Sequence, residues 1–385
     1  MMTSRRVASF VKALLSAGCL AAAAPLAGQT SNCDALCAAG AALVERFELR
    51  EGDTPVRERP GWAAPRKIVV ADLGLADALR PLSPGAEVVG VAGLRNFAGM
   101  AEVIADADVL VGLCTPELIA RAQKLHWIQL LNAGADSCAT IPAVAERGIV
   151  VTNLQRIQGP HMAEHAIALA LALARSLPVY TAEQRAGAFT RGFRELRGER
   201  PVEIEGKTLL VVGLGGIGTE VAKRAHGLGM HVIATRNSSR SGPEYVEYVG
   251  LADEYVELAK RADVVVNATP LTPATRGMFD ERFFATIKPG ALFINIGRGE
   301  SVATDALVAA LQSNRVAGAG LDVTDPEPLP PGHALWAMEN VIVTPHIATS
   351  SDFRNERTLT LVAENVRRYS RGDKLLSVVD LAKGY

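Results

Sequence analysis

Three polar side chains in the second half of the chain are candidates for chemistry, because each closely follows an apolar segment. Arg298, Glu327 and His346 come shortly after segments that are typical of buried strands. An imidazole transfers protons near neutral pH, a carboxylate orients an imidazole, and a guanidinium binds anionic groups. Taken singly, His346 could be a capped loop residue, Arg298 a phosphate ligand and Glu327 a solvated charge.

A glycine-rich turn lies upstream of these residues. The sequence Gly213-Leu-Gly215-Gly-Ile-Gly218 follows the apolar segment Thr208–Val212 and precedes a helical pattern over Thr219–Gly227. In a dinucleotide-binding turn, the first glycine makes the tight turn, the second lets the pyrophosphate approach the backbone, and the third lets helix and strand pack closely. The helix amino terminus supplies N–H donors to the phosphates. The turn therefore predicts a dinucleotide site, and the alternative is a glycine-rich turn without a ligand.

The end of the next predicted strand, His231–Ala234, indicates which dinucleotide binds. An acidic residue there would hold the ribose hydroxyls of NAD, but this chain has Arg236, followed by Ser238, Ser239 and Arg240. Arginine offers a permanent, forked cation to a 2′-phosphate, the serine hydroxyls can add donors, and Arg240 can assist. The segment favours NADP(H). The alternative is that Arg236 stacks on adenine and that NAD(H) is accepted as well.

Short runs rich in valine and isoleucine alternate with helical stretches, which predicts parallel sheets. The first series of predicted strands is Lys67–Ala71, Glu87–Val91, Val109–Leu113, Trp127–Leu131 and Ile149–Thr152. The second series has six strands, as a dinucleotide-binding sheet requires: Thr208–Val212, His231–Ala234, Val264–Asn267, Ala291–Asn295, Gly318–Val323 and Val341–Val343. The predicted fold class is α/β, with two doubly wound, Rossmann-like parallel-sheet domains.

The predicted sheets explain how distant polar residues can meet. Ligands of open α/β sheets bind outside the carboxyl ends of the strands. The loops that carry Arg298, Glu327 and His346 should therefore open on the same sheet edge as the glycine turn.

Two long helical patterns set the predicted domain boundaries. His161–Ser176 is apolar almost all round its middle, which is typical of a helix buried in a core or in a subunit interface. Asp352–Arg371 predicts a helix that packs back on the first domain and makes that domain discontinuous. We expect a substrate domain over residues 67–158 and 350–385 and a dinucleotide-binding domain over residues 159–349.

The first residues have the features of an export signal. Ser4-Arg5-Arg6 precedes a mostly apolar stretch that ends in small residues around Ala21–Ala24, which predicts a signal peptide of the twin-arginine type over residues 1–28 and a periplasmic location. Lys12 and the shortness of the stretch argue against a stable membrane span. Cys19 lies in a context that resembles a lipoprotein cleavage site. The alternative is a disordered or wrongly assigned start and a cytoplasmic protein.

The segment that follows is expected to be a linker or extension over residues 29–66, with a short helix over Asp34–Glu48. Cys33 and Cys37 in this segment could pair in an oxidising compartment and would stay thiols in the cytosol. Their spacing does not decide between the two states.

The composition of the 385-residue chain excludes several classes of function. Its formal net charge of −1 leaves no broad basic field for nucleic acid. Hydrophobic residues make up 49% and charged residues 21%, which is typical of globular rather than disordered chains. The five cysteines include no CxxC pair, so neither a zinc ribbon nor a thioredoxin-like motif is expected. No metal site is predicted.

Taken together and in order, the motifs resemble those of the D-isomer-specific 2-hydroxyacid dehydrogenase family, which includes glyoxylate/hydroxypyruvate reductases and phosphoglycerate dehydrogenases. The likeness covers about residues 67–380. It rests on the glycine turn and on the segments Ala163-Glu164-His165, Thr269–Thr275, Asn295–Gly299, Asp322–Pro328 and Thr344-Pro345-His346.

The resemblance implies that Arg298, Glu327 and His346 form the catalytic set of a 2-oxoacid reductase. His346 would protonate the developing alkoxide as hydride reaches the carbonyl carbon of a small 2-oxo acid, and it would act as base in the reverse direction. Glu327 would favour the imidazolium and orient the ring. Arg298 would bridge the substrate carboxylate and its 2-oxygen. The implied product is a D-2-hydroxy acid, and the implied assembly is a homodimer.

The resemblance also implies residues that bind cofactor and substrate. Those expected around the dinucleotide are Asp322 and the backbone at Ile296 for the nicotinamide amide, Thr269 and Thr275 for the adenosine side, and Gly216 and Ile217 for the pyrophosphate. In the first domain, Asn132–Asp136 resembles the substrate loop of the family, where the backbone N–H groups of Ala133 and Gly134 would take the carboxylate. The alternative for this loop is a plain glycine turn.

The chain departs from the family pattern in two places. Ala303-Thr304 occupies the stretch near Val302 where the family usually has an acidic residue, and Asp305 comes later. The N-terminal extension lies outside the pattern, which puts the usual cytoplasmic location in doubt.

Two other functions compete with the reductase. A formate-type dehydrogenase pairs its histidine with glutamine, and Glu327 argues against that reading. A dinucleotide-sensing interaction module, like the co-repressors that share this fold, can keep the catalytic residues, so only turnover separates it from an enzyme.

Overall fold

Both halves of the chain alternate short apolar strands with helices, and in the computed structural model these elements build two units. The structure describes residues 38–189 and 201–385. Unit 1 comprises the described residues up to Ile157 together with Ser351–Tyr385, and unit 2 comprises Gln158–Ser350. The predicted α/β class, with two parallel sheets and a discontinuous first unit, is confirmed.

Unit 1 contains a five-stranded sheet in which every strand pairs in parallel, in the order β2-β1-β3-β4-β5. Its strands are β1 (Lys67–Val70), β2 (Glu87–Gly90), β3 (Val109–Gly112), β4 (Trp127–Leu130) and β5 (Val150–Thr152). The valines, isoleucines and leucines of β3 and β4 are almost wholly buried. Such continuous apolar strands fit a parallel sheet that is covered on both faces.

Helices cover the sheet of unit 1. They are α1 (38–47), α2 (Leu73–Leu79), α3 (Phe97–Val103), α4 (Pro116–Arg121), α5 (Asp136–Ala139), α6 (Pro142–Glu146) and α13 (Arg354–Arg371). Tyr369 of α13 stacks on Trp127 of β4 with ring centroids 5.1 Å apart. Asn365 of the same helix donates to Oε1 of Gln129 at 2.9 Å. Apolar packing and buried hydrogen bonds thus hold α13 on the sheet.

Residues 38–66 belong to unit 1, so the described part of the predicted linker or extension is an extension of that unit, and α1 falls within the helix predicted over Asp34–Glu48. Phe47 and Leu49 are each 7% exposed and pack against Leu361 and Leu376. The physical reason is that α1 carries an apolar face, whose burial stabilises the segment on the unit. The predicted signal peptide and the pair Cys33 and Cys37 lie outside the described residues.

A disulfide joins Cys114, just after β3, to Cys138 in α5, across a sequence separation of 24 residues. Cys138 is fully buried and lies two residues after the predicted substrate loop. The bond therefore ties the residues after that loop to the neighbouring strand end.

We predict that removing this disulfide lowers the free energy of unfolding by about 3 kcal/mol, because a closed loop of this length restricts the unfolded chain. The measurement is denaturant unfolding of the oxidised wild type and of a Cys114→Ala/Cys138→Ala variant. The variant should also be insensitive to a reducing agent that destabilises the wild type. Equal midpoints for the two proteins would contradict the prediction.

Unit 2 contains a seven-stranded parallel sheet in the order β12-β11-β10-β9-β6-β7-β8. Its strands are β6 (Thr208–Val212), β7 (His231–Thr235), β8 (Tyr248–Gly250), β9 (Val264–Asn267), β10 (Ala291–Asn295), β11 (Val316–Leu321) and β12 (Val341–Val343). The prediction of six strands is wrong by one, because β8 is only three residues long and forms by pairing with β7. β11 also begins and ends earlier than predicted.

The described helices of unit 2 flank this sheet, and those with buried side chains enclose a separate core on each face. They are α7 (Gly159–Ala174), α8 (Leu177–Arg185), α9 (Gly216–Gly227), α10 (Tyr255–Ala259), α11 (Glu281–Thr286) and α12 (Thr304–Gln312). One core is formed mainly by α7, α9 and aliphatic strand residues. The other contains the ring cluster of Phe279, Phe283, Phe284 and Phe293. The sheet is therefore held rigidly from both sides.

Within residues 38–189 and 201–385, no single helix has the length and hydropathy of a membrane span. The consecutive helices α7 and α8, which meet at a bend of 73°, pass the same criterion only when they are taken together.

Candidate active site

The carboxyl ends of five neighbouring strands of unit 2 lie side by side. The register pairs Asn267 with Val212 and with Asn295, Asn295 with Leu321, and Leu321 with Val343. The glycine turn and the segments that carry Arg298, Glu327 and His346 all follow these strand ends. The edge of one rigid sheet thus positions them, as expected for a ligand site of this fold.

The glycine turn has the geometry that a bound dinucleotide needs. Gly213 adopts a φ of +99°, and a Cβ there would lie 2.9 Å from the carbonyl oxygen of Ala268. A Cβ on Gly218 would collide with the carbonyl oxygen of Gly213. Gly215, in contrast, faces open space on its Cβ side, and α9 begins at the next residue, Gly216. The first and third glycines pack against protein, and the second leaves room for phosphate at the helix amino terminus. Ile217, in the first turn of α9, is half-buried.

Arg236 directly follows β7, where the sequence analysis expects the residue that selects the dinucleotide. Its backbone N–H donates to the carbonyl oxygen of Gly250 at 2.9 Å, and its guanidinium donates to the carbonyl oxygen of Ser241 at 2.8 Å. Ser238 is exposed in the same loop. These bonds hold Arg236 and fold the loop back on itself.

Arg240, which we expect to assist Arg236, instead forms an ion pair with Glu254 at 2.7 Å and donates to the hydroxyl of Tyr248 at 3.0 Å. The hydrogen bonds from Tyr248, the Leu251 backbone and Arg240 lower the pKa of Glu254 to about 2. The carboxylate is charged at neutral pH and pairs with Arg240, whose help to Arg236 stays a prediction.

Three buried polar residues shape the loop that bears Arg298. Asn267 donates to Oδ1 of Asn295 at 2.9 Å and to Oγ of Ser301 at 2.8 Å. Asn295 and Ser301 in turn donate to the carbonyl oxygen of Arg298, at 3.1 and 2.6 Å. This network is not predicted from the sequence. The available signal was the asparagine that ends each of the neighbouring strands β9 and β10.

The Arg298 loop lies against the segment that leads to Glu327. A Cβ on Gly299 would overlap the carbonyl oxygen of Thr324, so the two backbones approach as closely as glycine allows. The guanidinium of Arg298 donates to the carbonyl oxygen of Gly297 at 2.9 Å. The chain therefore brings Arg298 to the same edge as the segment of Glu327. The backbone N–H of Ile296, expected near the nicotinamide amide, donates to the carbonyl oxygen of Asn267 at 3.2 Å.

His346 and Glu327 form the central pair of the site. Nδ1 of His346 lies 2.8 Å from Oε1 of Glu327, and both side chains remain about two-fifths exposed. His346 also has a φ of +52°, a left-handed conformation that is costly for a residue with a Cβ. The backbone N–H of His346 donates to the carbonyl oxygen of Asp322 at 2.9 Å. Strain of this kind is concentrated at functional positions.

Asp322 organises the loop that carries His346. The residue is 2% exposed, and its carboxylate accepts hydrogen bonds from Thr344 Oγ1 at 2.7 Å, Ile347 N–H at 2.9 Å and Ala348 N–H at 3.0 Å. His165 of α7 also contacts this loop, with its Nε2 2.9 Å from Thr344 Oγ1. The resemblance implies that Asp322 contacts the nicotinamide, and that stays a prediction. The structure adds a structural role that the sequence analysis missed.

The loop from Thr269 to Thr275 is closed by the hydroxyls of its own threonines. Thr269 donates to Oδ1 of Asn267 at 2.7 Å, and Thr275 donates to the carbonyl oxygen of Pro270 at 2.6 Å. Both residues therefore fix the shape of this loop beside the glycine turn. Their contact with the adenosine side stays a prediction.

The predicted substrate loop belongs to unit 1, where it follows the carboxyl end of β4. Asn153 donates to the carbonyl oxygen of Ala133 at 2.6 Å, which anchors the loop. Among the described residues, no protein group accepts a hydrogen bond from the backbone N–H of Ala133 or Gly134. These N–H groups are thus available to an anion.

Arg354, at the start of α13, is a second support of this loop that the sequence analysis missed. Its guanidinium donates to the carbonyl oxygen of Leu131 at 3.3 Å. Burial lowers the pKa of Arg354, partly offset by the charge of Asp72. The two residues are 223 positions apart in the sequence, so no local sequence pattern predicts the contact.

Comparisons with known proteins bear on both units. The family model described as D-isomer specific 2-hydroxyacid dehydrogenase, NAD binding domain, matches residues 167–348. A glyoxylate reductase from Thermococcus litoralis is 36% identical over 284 residues, which is 71% of this chain and 83% of the relative. A D-3-phosphoglycerate dehydrogenase from Methanocaldococcus jannaschii is 36% identical over 321 residues, which is 82% of this chain but only 59% of that longer protein.

A solved structure extends these comparisons. A D-isomer specific 2-hydroxyacid dehydrogenase from Xanthobacter autotrophicus Py2, in complex with NADPH and MES, is 30% identical and has a TM-score of 0.69. The match covers 84% of this chain and 100% of that one. The similarity therefore includes elements of both units.

Proposed function

Because the chain belongs to the D-isomer-specific 2-hydroxyacid dehydrogenase family of NAD(P)-dependent oxidoreductases, we propose that it interconverts a small 2-oxo acid and its D-2-hydroxy acid with NADP(H). The observation that carries the proposal is the His346–Glu327 pair, 2.8 Å apart on the strand edge that also bears the glycine turn. Glyoxylate and hydroxypyruvate are the first substrates to test.

The glycine turn fits the dinucleotide. Gly215 leaves open space beside the amino terminus of α9, where phosphates are favoured by N–H donors and the helix dipole. When bound, NADP(H) supplies or accepts the hydride at the carbon that bears the substrate oxygen.

His346 is the proton donor in reduction and the base in oxidation. Because Glu327 lies against Nδ1, the hydrogen on that nitrogen points at the carboxylate and Nε2 is left to exchange a proton with the substrate oxygen. The Glu327 carboxylate also stabilises the positively charged ring of His346 before the proton is transferred. The bonds that Asp322 makes to this loop keep the ring in place.

The proposed anion-binding groups are Arg298 in unit 2 and two backbone N–H groups in unit 1. Arg298 binds the carboxylate and the 2-oxygen, and its fixed charge favours the oxygen as negative charge develops on it. In unit 1, the N–H groups of Ala133 and Gly134, for which the described residues offer no acceptor, are proposed to bind a carboxylate. Neither group needs to change protonation during the reaction.

The experiment that tests the proposal is a reductase assay across glyoxylate, hydroxypyruvate, pyruvate and bulkier 2-oxo acids, with NADPH and NADH side by side. We expect turnover of at least one small 2-oxo acid and formation of the D-hydroxy product. Purified protein that binds NADPH but reduces none of these acids would instead be a dinucleotide-sensing interaction module.

NADP(H) selectivity is proposed to reside in Arg236. We predict that Arg236→Asp lowers kcat/KM for NADPH by about tenfold to a hundredfold, because a charge-assisted contact to the 2′-phosphate is replaced by repulsion. Arg240→Gln is the matched control, since Glu254 already holds that guanidinium, and its cofactor ratio should stay near that of the wild type. Equal rates with NADH and NADPH in the wild type would overturn the argument.

We also propose that the enzyme is a homodimer that uses α7 in its interface. The inner face of α7 is buried in the core of unit 2, while Ala168 is exposed and Leu171 and Ala172 remain half-buried. Light scattering during gel filtration should give the mass of two chains. A monomer at micromolar concentration would rule the dimer out.

Export to the periplasm is the proposed location. The disulfide Cys114–Cys138 supports it, because such bonds persist in oxidising compartments. Fractionation of cells that express the full chain should recover it from the periplasm, and an Arg5→Lys/Arg6→Lys variant should stay in the cytoplasm. Recovery of both proteins from the cytoplasm would refute export.

A further inference from the structure

A cavity of about 300 Å³ lies in unit 1, away from the predicted substrate loop. His126, which precedes β4, and Val150, which begins β5, form part of its wall. The cavity is therefore at the amino ends of these parallel strands, whereas the substrate loop follows the carboxyl end of β4. A volume of this size is within the range of small-molecule sites.

The segment before β1 builds one wall of the cavity. Trp62 lines it and donates through Nε1 to the carbonyl oxygen of Tyr369 at 3.2 Å. Tyr369 lines it from α13 and is fixed by its stack on Trp127. The likeness to the family starts near residue 67 in the sequence, so this wall comes from the segment that precedes it. The cavity is preformed and bounded by aromatic rings.

Two polar atoms of the wall residues are buried and lack a hydrogen-bond partner among the described residues. They are the hydroxyl oxygen of Tyr369, a residue only 1% exposed, and Nε of Arg59. Burial raises the pKa of Tyr369, assisted by the charge of Asp108, so the hydroxyl remains a donor. Buried donors without an acceptor are costly, and such groups are normally satisfied by water or by a ligand.

The charges of the wall favour an anion. Arg147 donates to the carbonyl oxygens of Ile119 at 2.9 Å and Ala122 at 2.6 Å, and these neutral acceptors do not cancel its charge. Within the described residues, neither Arg59 nor Arg147 forms an ion pair. Glu146 is the single carboxylate among the lining side chains. The lining thus carries two guanidinium groups and one carboxylate, together with the ring of Trp62.

We propose that this cavity binds a small organic carboxylate, with its flat apolar body on Trp62 and its carboxylate near Arg59 and Arg147. The site is separate from the substrate loop, and its occupant is a ligand rather than the reacting 2-oxo acid. Guanidinium groups recognise carboxylates through charge-assisted hydrogen bonds, and an aromatic surface favours a flat body.

The test is a ¹⁹F NMR titration of the full chain with 4-fluorobenzoate, and with 4-fluorobenzamide as its neutral counterpart. We expect saturable binding of the benzoate and at least tenfold weaker binding of the amide. Arg59→Gln should weaken benzoate binding about tenfold. Tyr369→Phe, which keeps the ring and removes only the hydroxyl, is the second variant and should also weaken binding. Thermal unfolding of each variant checks that the fold is intact.

Arg298→Gln separates this cavity from the catalytic site, which also binds carboxylates. Benzoate binding that survives Arg298→Gln and is weakened by Arg59→Gln supports the proposal. Binding lost in Arg298→Gln and kept in Arg59→Gln means that the probe occupies the catalytic site, which overturns it. No saturable shift at any soluble concentration means that the cavity holds water only, and the proposal fails even if the reductase activity is present.

Discussion

Replacing His346 by glutamine is expected to lower kcat by about three orders of magnitude while NADPH binding stays at the wild-type level. Glutamine can fill much of the same space but cannot give a proton to the developing alkoxide. The loss should appear in both directions of the reaction, because the same ring is the acid in reduction and the base in oxidation. Steady-state kinetics and a separate NADPH titration by fluorescence measure the two effects.

The chain offers a matched control for this variant. His231 and Glu247 form a second exposed histidine–carboxylate pair in the same unit, with Nδ1 2.5 Å from Oε1, but at the start of β7 rather than past a strand end. His231→Gln should leave kcat almost unchanged. A similar loss in both variants would mean that damage to the fold, rather than lost proton transfer, explains the effect at His346.

Replacing Arg298 by glutamine is expected to lower kcat/KM for the 2-oxo acid by about a hundredfold to a thousandfold. The guanidinium carries two tasks, since it binds the carboxylate in the ground state and stabilises the oxygen as charge develops. Both KM and kcat should therefore change. Arg298→Lys should recover only part of the loss, because an ammonium keeps the charge but lacks the planar fork.

Steady-state kinetics with the preferred 2-oxo acid measures the effect of Arg298→Gln. Arg276→Gln serves as the control, because Arg276 is an exposed arginine that pairs with Glu300 at 2.5 Å, next to the Arg298 loop. Its kinetic constants should stay close to those of the wild type. An unchanged KM and kcat in Arg298→Gln would remove Arg298 from the proposed mechanism.

The sequence alone predicts features whose causes are local. The β6–turn–α9 unit follows from contiguous residues, because the apolar strand, the required glycines and the helix lie within one short stretch. The same holds for the succession of strands in unit 1, and in unit 2 apart from β8, and the α/β class with a discontinuous first unit is confirmed. Because parallel strands end on one edge, the sequence also predicts that Glu327 and His346 share an edge, and the structure brings them to 2.8 Å. Their catalytic roles stay predictions until the variants are measured.

Features that depend on distant partners could not be predicted. β8 forms because its three residues pair with β7. The described part of the N-terminal extension packs on unit 1 because α13 returns there. Arg236 and Arg240 look alike in the sequence, yet only the fold places Glu254 against the second of them.

The tertiary structure alone decided how the candidate site is supported. His165 reaches Thr344 across 179 residues of sequence, and Arg354 reaches Leu131 across 223. The physical reason is that residue type states which hydrogen bonds a side chain can make, whereas burial and neighbours decide which of them form. The sequence thus determined the chemistry available at the sheet edge, and the fold decided which side chains hold Arg298, Glu327 and His346 in place.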